Sequence, residues 1–578
     1  MRKIALSSVL AATLLACSGP KDGEYSFQIL TTNDIHGTYF DSTYIGPRVK
    51  NSLFAVKHVV DSVRSAIGQD NVILLDAGDI LQGDNAAYYF NYVDTLSPHV
   101  YPRMAAYMGY DAIAVGNHDV ETGHPVYDRV RAELEESGIP FLGGNAIRND
   151  NGKPYFQPYT IIKRNGVKVA VLGYSNANIK NWLSEDIWEG MTFKSLVDVV
   201  QDDVDKVMAK ERPHIVIVAC HSATGEGDGS QLESEGLDLF NSLRGVDLLV
   251  CSHDHKPFVT SSDSMALVNS GSHCRYVGKG QVDITVKDGE VVSKSVSSVL
   301  IPVDSHDIDR EMAQVFHPEY TKVKEFTTAK VGSLDVDLVT RDAYAGMSDY
   351  VNLLHAIALR GSSAEISIAA PLTFDKTVKS GELIFNDLFT IYPFENQLFV
   401  AQMQGSQLKD YLEVSYDRWI KTYEGKGNVL NIKPYDDPRT GQEGWSFVER
   451  AYNFDSAAGL VYTVDVTRPK GERVDIISMA DGSDFVPGKV YSVAMTSYRA
   501  NGGGNLLREA GVAPESLAVT ERLPEIRDLI YDYLKENGAI THEAISDPKL
   551  VGGWKFVPDN VANKVIAHDL SLLFRERK

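Results

Sequence analysis

Short apolar runs that stop abruptly at polar clusters constrain the fold of this chain more than any other feature. Residues 112–115 form one such run, and Gly116 ends it before an amide, an imidazole and two carboxylates arrive within residues 117–121. A short apolar run bounded in this way is typical of a buried strand. Because open α/β sheets bind ligands just outside the carboxyl ends of their strands, the cluster predicts a functional site.

Amphipathic helix patterns alternate with these apolar runs through the first half of the chain. Apolar residues at helical spacing over residues 53–67 separate strand candidates at 27–31 and 72–75. Further runs follow at residues 167–172, 214–219 and 246–251. Strand–helix alternation implies parallel pairing with helices on both faces, so we expect these strand ends to gather at one edge of one sheet.

The length of the chain, 578 residues, favours two large domains. We predict a first domain over residues 25–303, a helical linker over 304–330 and a second α/β domain over 331–544. Residues 545–578 are predicted to form a C-terminal extension, and residues 1–17 a targeting segment.

The targeting segment has the pattern of a secretory signal. Arg2 and Lys3 precede an apolar run over residues 4–15, which is too short to span a bilayer as a mature helix. The run ends in Leu-Leu-Ala-Cys17, which resembles the lipobox of bacterial lipoproteins. We expect Cys17 to be lipidated and to tether the protein in the cell envelope, with no other membrane contact. The alternative is a plain signal peptide with an incidental cysteine.

The charge balance excludes one class of partner. The formal net charge is −22, which argues against binding of nucleic-acid duplexes through phosphate neutralisation. An anionic small-molecule substrate stays possible, because bound metal ions would dominate the local field. The sequence predicts no particular oligomeric state.

Five apolar runs are each followed by polar residues of the types that bind metal ions. The residues that follow them are Asn33 to Gly37, Asp76 to Asp79, Gly116 to Asp119, Cys220 to Ser222, and Ser252 to His255. Imidazole, carboxylate and one amide suit divalent ions such as zinc, manganese or magnesium. More than four candidate ligands are available, which is enough for two ions that share a bridging carboxylate.

These endings carry a family resemblance. Asp34-X-His36, Gly78-Asp79, Gly116-Asn117-His118, His221 and His253-X-His255 resemble the motif set of calcineurin-like metallophosphoesterases. More narrowly, the chain resembles the two-domain 5′-nucleotidase and 2′,3′-cyclic-nucleotide 2′-phosphodiesterase family. The resemblance implies an N-terminal four-layer α/β/β/α domain and a C-terminal α/β substrate-binding domain joined by the helical linker.

The resemblance also implies site residues. It assigns one ion to Asp34, His36, Asp79 and His255, and the other to Asp79, Asn117, His221 and His253, with Asp79 bridging. Two such ions support in-line attack of a metal-bound water at phosphorus. His118 would be catalytic, oriented by Glu121 where the family usually has Asp. Alternatively, Glu121 is a solvated residue in the first turn of a helix.

Two aromatic loops in the second region are predicted to bind the substrate. Phe394 and Asn396 lie in Pro-Phe-X-Asn, and Tyr498 and Arg499 lie in Tyr-Arg-Ala-X-Gly-Gly. Both patterns resemble the base-stacking loops of the family, and stacking is worth about 1–3 kcal/mol per base. The alternative is that both rings pack into the core of their own domain.

Two departures narrow the function. The arginine that 5′-nucleotidases carry in an Asn-Gly-Gly-X-Arg stretch is missing from residues 367–374, and Gly504 replaces an Asp of that branch. We therefore expect a 2′,3′-cyclic-nucleotide phosphodiesterase/3′-nucleotidase. The alternatives are a 5′-nucleotidase or UDP-sugar pyrophosphatase and, from another class, a non-catalytic nucleotide-binding surface lipoprotein. A sulfur-compound hydrolase is disfavoured by the aromatic loops.

Overall fold

A computed structural model describes residues 19–46, 49–436 and 443–574. The predicted targeting segment and Cys17 lie outside the described residues. Within the described ranges, no helix is both long enough and apolar enough to cross a membrane.

The first domain alternates strands and helices as its sequence pattern predicts. Its strands are Gly23–Thr32 (β1), Val72–Asp76 (β2), Ala112–Ala114 (β3), Phe141–Leu142 (β4), Ala146–Arg148 (β5), Tyr159–Arg164 (β6), Val167–Tyr174 (β7), Met191–Phe193 (β8), Ile215–Cys220 (β9), Leu248–Cys251 (β10), Pro257–Ser261 (β11), Ala266–Ser270 (β12), Tyr276–Lys287 (β13) and Glu290–Pro302 (β14). Its helices are Leu53–Ile67 (α1), Asn85–Tyr88 (α2), Val100–Met108 (α3), Asn117–Glu121 (α4), His124–Glu136 (α5), Ile179–Trp182 (α6), Leu196–Glu211 (α7) and Gly236–Ser242 (α8).

The expectation of a single sheet is wrong, because the strands form two sheets. One has the order β14-β13-β1-β2-β3-β4 and the other the order β11-β12-β10-β9-β7-β6. Apolar side chains of both sheets, such as Phe27, Ile73 and Val250, share one buried cluster. Helices cover the outer faces, where Val60 belongs to one further core and Val204 to another. The architecture is the four-layer α/β/β/α arrangement that the resemblance implies.

The predicted linker carries two helices, Arg310–Val315 (α9) and His317–Thr327 (α10). Both pack on the first domain, since Met312, Phe316 and Val323 are buried in its core. Lys322 also forms an ion pair with Asp94 of that domain. The chain then enters the second domain.

The second domain is also of mixed α/β type. Its strands are Lys330–Leu334 (β15), Leu338–Val339 (β16), Ile366–Ala369 (β17), Thr377–Val378 (β18), Gly381–Ile384 (β19), Gln397–Gln404 (β20), Ile432–Asp436 (β21), Glu443–Phe447 (β22), Ser456–Ala458 (β23), Leu460–Asp465 (β24), Val474–Met479 (β25), Val490–Thr496 (β26), Ala518–Glu525 (β27), Ala539–Ile540 (β28) and Gly552–Val557 (β29). Its helices are Asp349–Arg360 (α11), Phe385–Ile391 (α12), Gly405–Trp419 (α13), Ser497–Ala500 (α14), Leu506–Glu509 (α15), Ile526–Asn537 (α16), His542–Ile545 (α17), Pro548–Val551 (α18) and Asp559–Leu573 (α19).

A central sheet positions the two aromatic loops of this domain. Its order is β23-β17-β26-β20-β27. The loop with Phe394 leads into β20, and Tyr498 follows β26, which pairs with β20 in antiparallel register. The two loops therefore lie at the same edge of the sheet.

The C-terminal segment differs from the predicted extension, because it is part of the second core. Strand β29 pairs in parallel with β24 over Leu460 to Asp465. Trp554 and Phe556 are buried against Tyr416 and Trp419 of α13. Because these large rings are buried, the segment contributes to the hydrophobic core of the second domain.

Hydrogen bonds and packed rings join the two domains. Tyr88 donates to Asp528 at 2.8 Å, and Asn501 donates to the carbonyl of Trp182 at 2.9 Å. The ring of Tyr88 lies in a core cluster that otherwise consists of second-domain residues. These contacts close the domains around the cavity described below.

Candidate active site

The polar strand ends meet at one end of the two stacked sheets. Asp34, Asp79 and Asn117 follow β1, β2 and β3, which are parallel neighbours in the first sheet. His221 and His253 follow β9 and β10, which are parallel neighbours in the second. Because the sheets face each other, both contribute side chains to one centre.

Five of the seven predicted metal ligands have a backbone conformation that residues other than glycine rarely adopt. The φ angle is positive, between +47° and +70°, at Asp34, His36, Asp79, His253 and His255. Each such residue costs about 1–3 kcal/mol, and such residues cluster at functional sites. Their concentration here is typical of a site that needs a fixed geometry.

The first ligand group comprises Asp34, His36 and His255, whose ligand atoms lie within 4.8 Å of one another. Nε2 of His36 lies 2.8 Å from Nε2 of His255. Oδ1 of Asp34 lies 3.9 Å from the first nitrogen and 3.6 Å from the second. Nδ1 of His36 pairs with the carbonyl of Gln82 at 3.1 Å, which leaves Nε2 as the ligand atom.

The second ligand group comprises Asp79, His221 and His253, again within 4.8 Å. Nε2 of His221 lies 3.0 Å from Oδ2 of Asp79. Nδ1 of His221 pairs with the carbonyl of Ala77 at 2.8 Å, so Nε2 faces the centre. Oδ1 of Asp34 lies 3.9 Å from that Nε2, which makes the two groups adjacent.

Three buried ligand atoms lack a hydrogen-bond partner among the described residues other than the ligands themselves. Oδ1 of Asn117 has none at all, and Oδ2 of Asp79 and Nε2 of His221 have only their 3.0 Å contact with each other. Leaving a buried polar atom unpaired costs about 1–3 kcal/mol. Nitrogen and oxygen donors of this kind suit zinc, manganese and similar divalent ions. The residues present therefore fit a pair of divalent ions.

Burial holds three of the histidines in the neutral form that metal binding requires. It lowers the pKa of His253 to about 3 and that of His255 to about 4. It also lowers the pKa of His36 well below the usual value. At His221 the effect of burial is outweighed by the Asp79 carboxylate, which raises the pKa to about 9.

Asp119 holds the ligand loops together, a role that the sequence analysis missed. Its buried carboxylate accepts hydrogen bonds of 2.8–3.0 Å from the backbone N–H groups of Asp79, Ile80, Leu81 and Gly116. Gly116 is required there, because a Cβ at this position would lie 2.1 Å from Oδ1 of Asp79. The acidic cluster at residues 119–121 hinted at such a role, but no local pattern identifies the four donors.

His118 and Glu121 form a pair on the short helix α4. Nδ1 of His118 is hydrogen-bonded to Oε2 of Glu121, and its backbone N–H donates to Oδ1 of Asp79 at 2.8 Å. Burial alone would lower the pKa of His118, but the carboxylates of Asp79 and Glu121 raise it to about 10. The contact with Glu121 holds the imidazole by Nδ1, so Nε2 is the nitrogen available for proton transfer.

A cavity of about 830 Å³ between the two domains brings the predicted residues together. Asn117, His118, Glu121, His253 and His255 line it from the first domain. From the second domain, it is lined by Phe394, Asn396, Tyr498 and Arg499. Both predicted rings therefore face the metal centre across one space.

The aromatic loops differ in how they are held. The amide of Asn396 donates to the hydroxyl of Tyr392 at 3.3 Å. Tyr498 packs directly over Gly503, where a Cβ would lie 2.5 Å from the ring. Gly504 has a φ of +70°, and a Cβ there would lie 2.3 Å from Oδ1 of Asn453. The loop has no room for the Asp that the 5′-nucleotidase branch carries at this position.

Arg499 lies in the predicted loop, but its guanidinium is fully engaged within the protein. Nε pairs with Asp455 at 2.8 Å, and the Nη atoms donate to Asp455, Asn453 and the carbonyls of Tyr452 and Gly503. These contacts account for all five donors of the side chain. In this arrangement Arg499 holds two loops together and has no donor left for a substrate.

Trp182 is a second residue that the sequence analysis missed. Its ring stacks on His253 with centroids 5.1 Å apart and an interplanar angle of 21°. It also lines the cavity, and its carbonyl accepts the bond from Asn501 of the other domain. It lies in a short helix distant in sequence from every ligand, so no spacing rule could have linked it to the site.

Two family models match this chain. The model described as calcineurin-like phosphoesterase matches residues 27–257, and that of the 5′-nucleotidase C-terminal domain matches residues 328–509. The first match lies within the first domain, and the second match covers most of the second domain.

Relatives with both domains are similar over most of this chain. The trifunctional nucleotide phosphoesterase YfkN of Bacillus subtilis is 22% identical over 97% of this chain, which spans 41% of that protein's length. The 2′,3′-cyclic-nucleotide 2′-phosphodiesterase/3′-nucleotidase of Haemophilus influenzae is 22% identical over 96% of this chain and 91% of its own length. The crystal structure of a 5′-nucleotidase precursor from Thermus thermophilus covers 92% of this chain and all of its own, with a TM-score of 0.59 and 20% identity, and shows the same fold.

Proposed function

We propose a substrate class for this chain, which belongs to the family that joins a calcineurin-like phosphoesterase domain to a 5′-nucleotidase C-terminal domain. The chain is a metal-dependent phosphoester hydrolase that acts on nucleotides. We infer that it opens 2′,3′-cyclic nucleotides to 3′-nucleotides and then removes the 3′-phosphate. The similarity to the Haemophilus influenzae enzyme of that name supports this choice.

The observation that carries the proposal is one wall of the cavity, at residues 367–372, which carries no charged side chain. Residues 367–374 correspond to the stretch in which 5′-nucleotidases carry an arginine. In this chain the part that lines the cavity consists of Ser367, apolar residues and Leu372, and none of these is charged. Arg499 is engaged with Asp455. A 5′-monophosphate carries two negative charges, whereas a 2′,3′-cyclic phosphate carries one and needs less cationic support. A wall without an arginine fork therefore favours the singly charged cyclic ester over the doubly charged monoesters, so we expect removal of the 3′-phosphate to be the slower of the two steps.

The two ions would be held by the two ligand groups, together with Asn117. When bound, such ions lower the pKa of a water molecule and polarise the phosphoryl oxygens. The protein itself excludes bulk water by closing the cavity and fixes the base between Phe394 and Tyr498.

His118 supplies the proton for the leaving group. A water molecule that has lost one proton to solvent bonds to phosphorus through its oxygen, the bond from phosphorus to the ribose 2′-oxygen breaks, and that oxygen takes the proton from Nε2 of His118. The product is a 3′-nucleotide. Glu121 stabilises the protonated imidazole through Nδ1.

The test is a comparison of substrates with purified protein that begins after Cys17. Turnover of 2′,3′-cyclic AMP, 3′-AMP, 5′-AMP and a UDP-sugar is measured side by side with added manganese or zinc. We expect the highest kcat/KM for the cyclic ester, with 3′-AMP as its first product. A preference for 5′-AMP or the UDP-sugar would establish the alternative enzymes. Binding without turnover of any of the four would support the non-catalytic alternative.

The cell-envelope location and the lipid on Cys17 belong to the same proposal. This proposal is supported by the basic and apolar residues 2–15 and by the lipobox-like tetrapeptide that follows them. Labelling cells with a palmitate analogue should mark the wild type and leave Cys17→Ser unlabelled. Equal labelling of both, or labelling of neither, would contradict lipidation at this residue.

A further inference from the structure

The edges of the base have to be recognised by groups other than the two rings. A base clamped between Phe394 and Tyr498 presents only its edge atoms to the rest of the cavity. Specificity between bases therefore depends on the polar side chains near the rings. Two charged side chains in this region, Glu233 and Arg450, have no role in the chemistry described above.

Glu233 reaches the cavity from the first domain. It lies in the loop between β9 and α8, and its backbone carbonyl is fixed by the N–H of Ala223 and the amide of Asn176. Its carboxylate is near Tyr498: burial first, and then charges that include Glu233, raise the pKa of that phenol to about 12. Burial also raises the pKa of Glu233 itself. A half-buried carboxylate, which also accepts a hydrogen bond from the side chain of Asn178, thus lines the cavity together with Tyr498.

Arg450 reaches the cavity from the second domain. It precedes the single helical turn Ala451–Asn453, which the engaged Arg499 anchors through the carbonyl of Tyr452. Within the described ranges, the Arg450 guanidinium has no hydrogen bond or ion pair. The Arg499–Asp455 pair therefore fixes the backbone that presents a free guanidinium to the cavity.

We propose that Glu233 and Arg450 read the edges of the base and select guanine nucleotides over adenine nucleotides. The inference rests on the proposed function, since it assumes a nucleotide clamped by Phe394 and Tyr498. A guanidinium donates two parallel hydrogen bonds to O6 and N7 of guanine. A carboxylate accepts from N1–H and the N2 amino group on the adjacent edge. Both charged side chains are satisfied by this one base.

The other bases leave one of the two side chains poorly paired. Adenine places the lone pair of N1 beside its amino group, so a carboxylate meets one donor and one repelling acceptor. Uracil offers a single N–H between two carbonyls, and cytosine offers no pair of neighbouring acceptors in the arrangement of O6 and N7. A site built to form hydrogen bonds with one base discriminates against bases that leave those groups unpaired.

The experiment compares guanine and adenine substrates in turnover and in binding. We measure kcat/KM for 2′,3′-cyclic GMP, 2′,3′-cyclic IMP and 2′,3′-cyclic AMP with the metal-loaded protein. We also measure dissociation constants of GMP and AMP for the chelator-treated protein by calorimetry. The variants are Glu233→Gln and Arg450→Met. The matched controls are Glu226→Gln in the same loop and Arg468→Met on the surface, both exposed.

We expect the wild type and both controls to prefer guanine over adenine by about ten- to hundredfold, mainly through KM and the dissociation constant. Arg450→Met should reduce this preference to less than threefold, with kcat retained. Glu233→Gln should weaken the advantage of GMP over IMP, because hypoxanthine lacks the N2 amino group. Circular dichroism spectra check that each variant is folded. If Glu233→Gln does not fold, the result for Arg450→Met alone decides the outcome.

Equal use of both bases by the wild type, or a preference unchanged by both variants, would overturn the inference. Failure of the proposed function gives a different pattern. In that case GMP still binds more tightly than AMP, while no substrate is hydrolysed.

Discussion

Nδ1 of His118 is hydrogen-bonded to the carboxylate of Glu121, one turn later on the same short helix. The adjacent residue, Asn117, instead has a buried side-chain oxygen without a hydrogen-bond partner among the described residues, and it lines the same cavity. These contacts suit Asn117 for metal binding and His118 for proton transfer. The sequence predicts this division, and the alternative of a solvated Glu121 is inconsistent with the observed contact.

The division of tasks predicts different defects for Asn117→Ala and His118→Ala. Removing the Asn117 oxygen should reduce the metal content of the purified protein. Removing the His118 imidazole should leave metal content unchanged and lower kcat by about 10²–10⁴, the usual contribution of a proton-transfer group. Elemental analysis and steady-state kinetics on the same samples check this. Equal metal loss in both variants would refute the assignment.

Glu121→Gln should lower kcat without changing KM or metal content. The amide keeps the shape of the side chain but removes the charge that stabilises protonated His118. We expect a decrease of about tenfold or more, within the range for general acid catalysis. Glu121→Asp should recover part of the loss, and exposed Glu136→Gln on α5 is the matched control. A change confined to KM would show that Glu121 contacts the substrate instead.

Arg499→Met should act on stability more than on substrate binding. It leaves the buried Asp455 carboxylate without its cation, which costs about 3–5 kcal/mol of the free energy of unfolding. Replacing both residues, as Arg499→Met with Asp455→Leu, should recover part of this loss. Chemical denaturation of the two variants and of exposed Arg468→Met provides the comparison. An unchanged stability with a raised KM would restore Arg499 as a substrate contact.

The free energy of unfolding should be lower at pH 5 than at neutral pH, and His355 should account for part of the difference. Its buried ring pairs with the hydroxyls of Ser367 and Ser456, and burial lowers its pKa to about 3. The unfolded state binds a proton near pH 6.5 and the folded state does not, so stability is lost as pH falls below that value. At pH 5 the loss from this one group is about 2 kcal/mol.

The corresponding measurement is the dependence of unfolding free energy on pH between 7.5 and 5. His355→Gln should flatten the slope by the stated amount, whatever its effect at neutral pH. Exposed His317→Gln should have the slope of the wild type. An unchanged slope in His355→Gln would contradict this account, because it would show that the ring binds protons equally in the folded and unfolded states.

The sequence predicts the ligand loops well because each one follows its own strand. Local pattern places Asp34, Asp79 and His221 at strand ends, the family resemblance assigns them to metal ions, and the structure brings them together. Periodicity identifies a buried strand but not the sheet that contains it, so the division into two sheets was not predictable from pattern.

Long-range pairing explains what the sequence does not reveal. The partner of Arg499 is Asp455, far away in the chain and without any shared motif. The hydrogen bonds of Asp119 to four backbone N–H groups depend on tertiary contact between two loops. Such roles follow from coordinates and not from composition or spacing.

Metal titration with substrate turnover tests the central claim most directly. The protein is stripped with a chelator, and manganese or zinc is added stepwise while hydrolysis of 2′,3′-cyclic AMP is followed. We predict no turnover in the stripped protein and a rise that reaches its plateau at two ions per chain, with 3′-AMP as the first product. Full turnover in the presence of the chelator, or a plateau at one ion per chain, would contradict the two-ion account.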